Sequence, residues 1–424
     1  MAVQFAFGWG APGAAHSREG DATIVLARVP GSLIVGWLTL CLLASVSACS
    51  GPAAAGKSAS RSPSATVGAG GSMVSPAAPA AIASAAVASA ARSPSPPRPL
   101  PGYCNGGGAT LWANLASCDW PGPTNTGPDL SQCPGGRLTP NAGSLSRTID
   151  ITAANTVISC EDITGMIDID APNVTIKNSI VTSNSGKTGE DANGTSDILV
   201  DDGASAVIDQ VTINGDDGVH ACIWHEGTSL VADAVNCYGS DDGIFSWDDS
   251  SYSDTTGDNF VIKNSYFHNF TAATSNGHED GYQTEGASGG LIEHNTYQMT
   301  ADSDSAVAIW DQLRNSSDIT VNDNLITGGG FAIYAEDYDP GDGGPGDPSA
   351  IGGFSVTQIT FTDNVFSTQA SGCVGQFGVW FDRPTWAPYD GGPTDGWHRS
   401  GNRVLETGEN VDSGNPHDNG ALCD

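Results

Sequence analysis

The chain has 424 residues and a formal net charge of −33, from 48 acidic and 15 basic side chains. Residues 101–424 hold 46 of the acids but only nine of the bases, and such a surface repels nucleic-acid phosphates and anionic lipids. It also repels a polyuronate unless metal ions bridge the two, so neutral glycans, cations or basic partners fit better, although the acidity alone could serve to keep an exported protein soluble.

The first hundred residues predict a leader and a tether rather than a folded domain. Residues 32–48 form an uncharged stretch of 17 residues, which suits a signal sequence better than a spanning helix of ~20 residues. Val46–Cys49 looks like the lipobox of bacterial lipoproteins, which predicts lipidation of Cys49. An uncleaved N-terminal anchor is the alternative.

The domain boundaries follow from composition. Residues 50–101 are dominated by Ala, Ser, Pro and Gly and cannot bury enough apolar surface to fold. We therefore expect a leader at 1–49, a disordered tether at 50–101 and one folded domain at 102–424. Within that domain we expect a cap at 102–136, coils at 137–382 and a C-terminal tail at 383–424.

Residues 102–136 are rich in Gly, Pro and Cys and are predicted to cover the open N-terminal end of the domain. Eight cysteines remain when Cys41 and Cys49 are set aside, and an even number in an exported protein favours disulfides. Proximity along the chain suggests three pairs: Cys104–Cys118, Cys222–Cys237 and Cys373–Cys423.

From residue 137 onward, short strand patterns recur. The signature apolar–x–apolar–x–Asn/Asp–Asn/Ser begins at Val174, Phe260, Ile319 and Ile359. Equal units that recur in this way predict stacked coils that bury a continuous core. The polar positions of the signature are expected to stack at a bend where Asn and Asp tolerate a left-handed backbone; they are Asn178, Asn264, Asp323 and Asp363.

A second family of strands precedes these signatures. With two or three short strands per coil of ~20–30 residues, the pattern predicts an all-β parallel β-helix, a single-stranded solenoid. The rival fold, a β-sandwich, predicts hairpins every ~8–12 residues without register between copies and fits worse. The acidic insertion at 337–353 matches no calcium-loop spacing and is interpreted as a solvated loop.

Three acidic pairs beside glycine lead into strands of the second family: Asp216-Asp217, Asp241-Asp242 and Glu279-Asp280. If the coils stack in register, these carboxylates lie roughly 5 Å apart, which is the strand spacing. Carboxylates at that distance raise one another's pKa, so that one holds a proton while another is charged, as glycoside cleavage requires. The alternative is that each Asp-Gly is only a turn dipeptide.

Other polar and aromatic residues follow the same edge. We predict Asp242 and Asp280 as acid/base residues and His278 as a proton relay or orienting group. An aromatic face beside hydrogen-bonding groups suits sugar rings, although such rings often only cover a sheet. The predicted substrate-binding residues are Asp217, His225, Gln283 and Glu285 as hydrogen-bonding groups, with Trp247 and Trp310 as stacking platforms.

Several short segments carry a family resemblance. They include Thr124–Gly127, Leu138–Pro140, Asp162–Gly165, Asn173–Ile176 and the His-x-Asp-Gly-x-Gln run that starts at His278. Over about residues 102–405 the chain resembles secreted bacterial right-handed parallel β-helix proteins of the pectate-lyase-like superfamily. The resemblance implies the fold, but that superfamily includes lyases, hydrolases, epimerases and binding proteins, so it leaves the activity open.

The chain also departs from two activities of that superfamily. A pectate-lyase mechanism needs a basic residue, and residues 150–380 contain only Lys177, Lys187, Lys263 and Arg314. Polygalacturonases have Gly-His-Gly where this chain has Gly277-His278-Glu279. The sequence therefore predicts an extracellular, membrane-anchored, monomeric protein that cleaves a polysaccharide by hydrolysis or elimination, with calcium as the one cofactor left open. A non-catalytic surface module that binds glycan or acts in adhesion is the alternative.

Overall fold

The computed structural model describes most of the predicted folded domain. Cys49, Trp247, the Cys373–Cys423 pair and the acidic insertion from residue 338 onward lie outside the described residues. In the described part of the chain, no helix has the length and apolar character needed to cross a membrane. The described residues are 102–105, 108–187, 195–246, 257–271, 277–300, 303–311, 313–337, 354, 356–369, 374–384 and 397–413.

The second strand family forms a parallel sheet of nine strands in the described residues, as the sequence predicted. Its strands follow one another in chain order, so each coil adds one strand. They are Thr148–Ile151, Met166–Ile169, Ser196–Val200, Ala221–His225, Asp242–Ser246, Asp280–Thr284, Ser305–Trp310, Phe331–Asp337 and Gly378–Pro384.

The repeated signatures form a second parallel sheet, of eighteen strands within the described residues. These strands are Thr139–Asn141, Val157–Ser159, Glu161–Thr164, Val174–Thr182, Ser205–Asn214, Ser229–Asp233, Asn236–Tyr238, Phe260–Lys263, Tyr266–His268, Ser288–Glu293, Thr296–Gln298, Ser316–Asn322, Leu325–Thr327, Val356–Thr357, Ile359–Thr362, Val365–Ser367, Trp397–Ser400 and Arg403–Val404.

The two sheets make a parallel β-solenoid, and the β-sandwich alternative is wrong because the strand ladders are parallel. Hairpins would give antiparallel ladders, yet the antiparallel pairing found among the described residues is a single bridge between Arg403 and Asn410. Register partners lie as few as 18 residues apart, from Val157 to Thr175, and as many as 47 apart, from Ile333 to Trp380. Coil length therefore varies more than the predicted ~20–30 residues.

The predicted polar bend is confirmed. Asn178, Asn264, Asp323 and Asp363 have φ values of 46°, 52°, 50° and 55°, which is the left-handed region that Asn and Asp adopt most readily after Gly. The next residue on each of the later coils is an asparagine whose side chain points inside and is fully buried. These four residues form what we call the asparagine ladder: Asn295, Asn324, Asn364 and Asn402.

The interior between the sheets is a continuous apolar core of Ile, Val, Phe and Tyr side chains. The predicted disulfide Cys222–Cys237 is confirmed and joins the two sheets through this core, since both cysteines are fully buried. Cys222 belongs to the nine-stranded sheet and Cys237 to the eighteen-stranded sheet. The bond therefore holds the two walls of one coil together.

The predicted cap is wrong in its position, because residues 102–136 run along the side of the solenoid instead of over an end. We call this segment the strap. It contains the α-helix Ala109–Trp112 and the 3₁₀ helices Gly102–Asn105, Leu115–Cys118, Leu130–Gln132 and Pro134–Gly136. The predicted disulfide Cys104–Cys118 is confirmed and lies inside it.

The strap crosses the coils in the reverse of chain order. Its first half packs Leu111 and Leu115 against apolar side chains of late coils, including Val365 and Leu405. The strap thus packs against apolar side chains that lie outside the core, and the burial of this apolar surface stabilises the strap on this face. The next contacts, in order, are Trp112 Nε1 to Ser367 Oγ at 3.2 Å, Gly127 N to Ala234 O at 2.8 Å, Asp129 N to Asn178 Oδ1 at 3.1 Å, and the disulfide Cys133–Cys160.

The predicted start of the C-terminal tail at residue 383 is also wrong. Trp397–Ser400 pairs in parallel with Ile359–Thr362, and Arg403–Val404 pairs with Val365–Ser367. A further coil is therefore completed by residues that the sequence assigned to the tail. The long excursion before it hides the repeat from a search at a fixed period.

His294 links the middle of the strap to the solenoid. Its ring stacks on Trp120 with centroids 5.3 Å apart, and its Nδ1 lies 3.0 Å from Asp323 Oδ2. Burial lowers the pKa of His294, but the hydrogen bond and charge of Asp323, together with a hydrogen bond to the backbone of Asp119, outweigh burial and raise the pKa above its ordinary value. The protonated imidazole therefore favours the docked strap.

We expect the free energy of unfolding to fall as the pH rises through the pKa of folded His294. Because that pKa is raised by folding, the stabilisation is complete below the unfolded pKa of ~6.5 and is lost above the folded value. Partial exposure limits it to less than about 1 kcal/mol. Urea unfolding at a series of pH values measures it. His294→Gln should make this slope shallower, and the exposed-site control His398→Gln should leave it as in the wild type. An unchanged slope in His294→Gln would contradict the assignment.

Candidate functional site

Five carboxyl groups meet where three neighbouring strands of the nine-stranded sheet begin. We call them the carboxylate cluster: Asp241, Asp242, Glu279, Asp280 and Asp304. The backbone N–H of Asp280 donates to Asp242 Oδ1 at 2.8 Å, which joins two adjacent coils. The Ser305 hydroxyl of the next coil donates to Asp280 Oδ1. The sequence prediction that Asp242 and Asp280 become neighbours by coil stacking is thus confirmed.

The cluster has strongly perturbed acidities. Burial, followed by the charges of neighbouring carboxylates, raises the pKa values of Asp242 and Asp280 well above the ordinary range. Burial and the charges of Glu279 and Asp241 raise the pKa of Asp304 to about 7. Asp242 and Asp280 are inaccessible, whereas Asp304 and Glu279 are half-buried. The cluster is therefore less acidic than ordinary carboxyl groups and exposes part of its edge to a ligand.

Two histidines flank the cluster. His220 places its Nδ1 3.6 Å from Asp241 Oδ2 and its Nε2 3.5 Å from Asp242 Oδ2. On the other side, the backbone oxygen of His278 accepts a hydrogen bond from Asp304 N at 2.7 Å. Burial lowers the pKa of His278 to about 4. A neutral imidazole therefore stands beside carboxyl groups with raised pKa values, an arrangement that can take up or pass on a proton.

The predicted register of Asp217 with Asp242 and Asp280 is wrong. Register places Ala221, and not Asp217, opposite Asp242 in the preceding coil. Asp217 lies in an exposed turn with a φ of 57°, and its backbone N–H donates to Gly239 O at 2.8 Å. Its Asp-Asp-Gly run is the turn dipeptide that formed the alternative interpretation.

An aromatic row covers the outer face of the nine-stranded sheet. Trp224 packs on Phe245 with ring centroids 5.1 Å apart, and Trp310 packs on Tyr334 at 5.5 Å. Gln283 interrupts the row, because register places it beside Phe245. These rings largely contact one another, so they cover the sheet. Trp310 additionally meets the edge of the His278 ring at 5.9 Å, which brings one predicted sugar-stacking residue to the cluster.

Gln283 is a predicted substrate-binding residue that lies near His278, beside the cluster. Its side chain is 1 % exposed. Its Oε1 makes no hydrogen bond of good geometry, although the side chain is close enough to His278 to raise the pKa of that ring. Asp280 Oδ2 is a second buried oxygen without a hydrogen-bond partner. Such buried orphan oxygens are rare in native proteins and point to a missing ligand or water.

The other two predicted substrate-binding residues that the structure describes lie near the opposite ends of these strands. His225 is fully buried, and its Nε2 lies 3.1 Å from the backbone oxygen of Asp258. The carboxylate of Asp258 pairs with Arg314 at 2.9 Å. Burial lowers the pKa of His225 to about 4, so this ring is a neutral core residue. Glu285 is 2 % exposed, and burial raises its pKa to about 8.

Glu285 predicts a second pH dependence of stability. Because folding raises its pKa from the ordinary 4.5 to about 8, the stabilisation is complete below about pH 4.5 and is lost as the pH rises to about 8. Glu285→Gln, a neutral isostere, should match the wild type near pH 4 and exceed its unfolding free energy by on the order of 2–4 kcal/mol near pH 9. The exposed-site control Glu409→Gln should behave as the wild type. Urea unfolding at both pH values tests this prediction. The same difference in unfolding free energy between the wild type and Glu285→Gln at both pH values would contradict it.

Sequence reasoning missed Asp304 altogether and did not assign Asp241, Glu279 or His220 to the site. A usable signal was present: each of these four residues directly precedes a strand of the nine-stranded sheet. Counting back from the strand, instead of searching for Asp-Gly, would have found them. Among the described residues, no group of three or more His, Cys, Asp or Glu side chains is arranged to hold a metal ion.

A cavity of about 350 Å³ lies between the strap and the coils, lined by Trp120, His294, Asp323 and Arg403 among others. None of the cluster residues lines it, so it is a separate feature. Comparison of the chain with protein families, with curated proteins and with solved structures yields no match. The function therefore has to be argued from the geometry of the cluster.

Proposed function

We propose that this protein is an extracytoplasmic, carbohydrate-active β-solenoid that cleaves a polysaccharide at the carboxylate cluster. The observation that carries the proposal is the contact between Asp242 and Asp280 on adjacent coils, beside the titratable groups His278 and Asp304. Glycoside cleavage uses one carboxyl group that keeps a proton near neutral pH and a second group that accepts one. The raised pKa values of the cluster and the neutral His278 supply both.

The roles within the cluster follow from accessibility. Asp304 is half-buried and has a pKa raised to about 7, so we propose that it exchanges the proton with the substrate. Asp242 and Asp280 are inaccessible, which suits positioning residues that maintain this acidity. His278 then relays the proton, and Gln283 with Trp310 orients the sugar. This assignment replaces the simpler one in which Asp242 and Asp280 touch the substrate themselves.

A second candidate, a non-catalytic glycan-binding or adhesion module, is favoured by one observation. The exposed fractions of Asp242 and Asp280 are 1 % and 0 %, and buried carboxyl groups can serve the fold alone. Both candidates would bind glycan at the edge of the sheet that carries the carboxylate cluster. They differ because only an enzyme would release cleavage products.

Location and handedness are part of the proposal. Three disulfides among the described residues support an oxidising compartment outside the cytoplasm, and lipidation at Cys49 would anchor the protein there. We also propose a right-handed coil, because connections between parallel strands of one sheet are right-handed in about 98 % of cases.

The test is a panel of polysaccharides incubated with the purified protein, with and without calcium. New reducing ends without ultraviolet-absorbing products indicate hydrolysis, and unsaturated products indicate elimination. Binding without either product supports the adhesion or binding module. The absence of both binding and products across neutral, acidic and amino-sugar polymers would reject a role in carbohydrate chemistry.

A further inference from the structure

The carboxylate cluster lies in a region whose charges are almost all negative. The charged neighbours that raise the pKa values of Asp242, Asp280 and Asp304 are other carboxylates. In the described residues the two cationic side chains with ion pairs of their own, Lys263 and Arg314, pair with Asp233 and Asp258. Burial and these like charges favour bound protons in the cluster, and a cationic ligand can replace such protons.

The accessible edge of the cluster is rigidly held. The Ser303 hydroxyl donates to Glu279 Oε2 at 3.1 Å, and the backbone of Asp304 is fixed by its bond to His278 O. Glu279 and Asp304 belong to adjacent coils, because Asp280 is the register partner of Ser305. The backbones that carry the two carboxyl groups thus lie at strand spacing, about 5 Å apart, which lets one small cation contact both side chains.

One hydrogen-bond acceptor beside the cluster is unsatisfied. Gln283 Oε1 is buried and makes no hydrogen bond of good geometry. Gln283 is not an acid, so its orphan oxygen is independent of the charge argument. An acceptor without a donor calls for a ligand that carries N–H or O–H groups. Because the described side chains show no metal-ligand arrangement, an organic cation fits these groups better than a bare ion.

We propose that the cluster receives a protonated amino group of the glycan between Glu279 and Asp304, so that the substrate is a polysaccharide with free amino sugars. The inference rests on the proposed function and narrows it to one class of substrate. An ammonium group supplies three donors and a positive charge, and the adjacent sugar hydroxyls supply further donors. Binding should also release protons, because a nearby cation lowers the pKa of each carboxyl group.

The experiment compares two oligosaccharides of equal length and linkage, one of glucosamine and one of N-acetylglucosamine, by calorimetry on the full chain. The acetyl group removes the charge and leaves the sugar backbone unchanged. We expect the glucosamine oligomer to bind at least ten-fold more tightly near neutral pH. Its apparent binding enthalpy should differ between phosphate and Tris buffers, because released protons are taken up by the buffer.

Matched variants locate the effect. Asp304→Asn and Glu279→Gln should each lower the preference for the glucosamine oligomer about ten-fold, whereas Asp217→Asn, a carboxylate in an exposed turn, should leave it unchanged. Equal affinity for the two oligomers would overturn the inference, and so would an equal loss in Asp217→Asn, which would mean attraction by the acidic surface in general. If a variant fails to fold, the paired oligosaccharides on the wild type still decide.

Two further outcomes separate this inference from the proposed function. Cleavage of a neutral polysaccharide with no preference for the glucosamine oligomer would reject the inference and leave the enzyme in place. Tight calcium binding that Asp304→Asn abolishes would reject it in favour of a metal site. Failure to bind or cleave any glycan, the glucosamine oligomer included, would reject both.

Discussion

Asp280→Asn is expected to lower the rate of glycan cleavage by about ten-fold, because Asp280 acts through the acidity of the cluster and does not itself exchange the proton with the substrate. Asn resembles the protonated carboxyl group that Asp280 carries when its pKa is raised. The amide oxygen can still accept the hydrogen bond from Ser305. Folding should therefore be retained while the contribution of Asp280 to the acidity of the cluster is lost.

A structural role for Asp280 would not move the pH–rate profile, so the profile is the deciding readout. The charge of Asp280 contributes to the raised pKa values of the cluster, and its removal should shift the alkaline limb of the profile, which reports the proton-donating carboxyl group, to lower pH. Asp217→Asn should keep both the rate and the profile. Full activity of Asp280→Asn, with the wild-type melting temperature, would remove this residue from the mechanism.

Asn324→Ala is expected to destabilise the fold by about 3 kcal/mol or more, because several buried groups lose their partners at once. Asn324 Oδ1 accepts two hydrogen bonds from Asn295, one from the backbone N–H at 2.9 Å and one from the side-chain Nδ2 at 3.0 Å. Asn324 Nδ2 donates to Ile292 O at 3.0 Å and to Asn364 Oδ1 at 2.9 Å. Alanine replaces none of these bonds, and the side chain of Asn324 is fully buried.

Urea-induced unfolding measures this loss, and Asn322→Ala is the matched control. Asn322 lies two residues earlier, and its partly exposed side chain contacts Glu293 and Thr362. Its truncation should cost less than about 1 kcal/mol. If the two variants unfold at the same urea concentration, the ladder does not contribute the stability that its burial implies.

The solenoid form was predictable because its determinants are local. Each coil repeats an alternation of apolar and polar residues, and a strand needs only this alternation to bury one side. The bend needs only a residue that tolerates a positive φ, and Asn178, Asn264, Asp323 and Asp363 meet that need within their own segments. The disulfides Cys104–Cys118 and Cys222–Cys237 were predictable for the same reason, since their partners are 14 and 15 residues apart.

Register, by contrast, was decided only in the tertiary structure. Which residues become neighbours on adjacent coils depends on the number of residues between the paired strands. An Asp-Gly motif does not indicate that number. Asp217 therefore falls in a turn, whereas Asp304, which has no Asp-Gly motif, joins the cluster.

The chain by itself therefore determined the repeating strands, the left-handed bends and the acidic character of the surface, because each depends on a few consecutive residues. Only the assembled solenoid decided the course of the strap, the Cys133–Cys160 disulfide and the membership of the carboxylate cluster. These features join residues that are distant in the chain, and their contacts depend on how many coils are stacked between them and at what register.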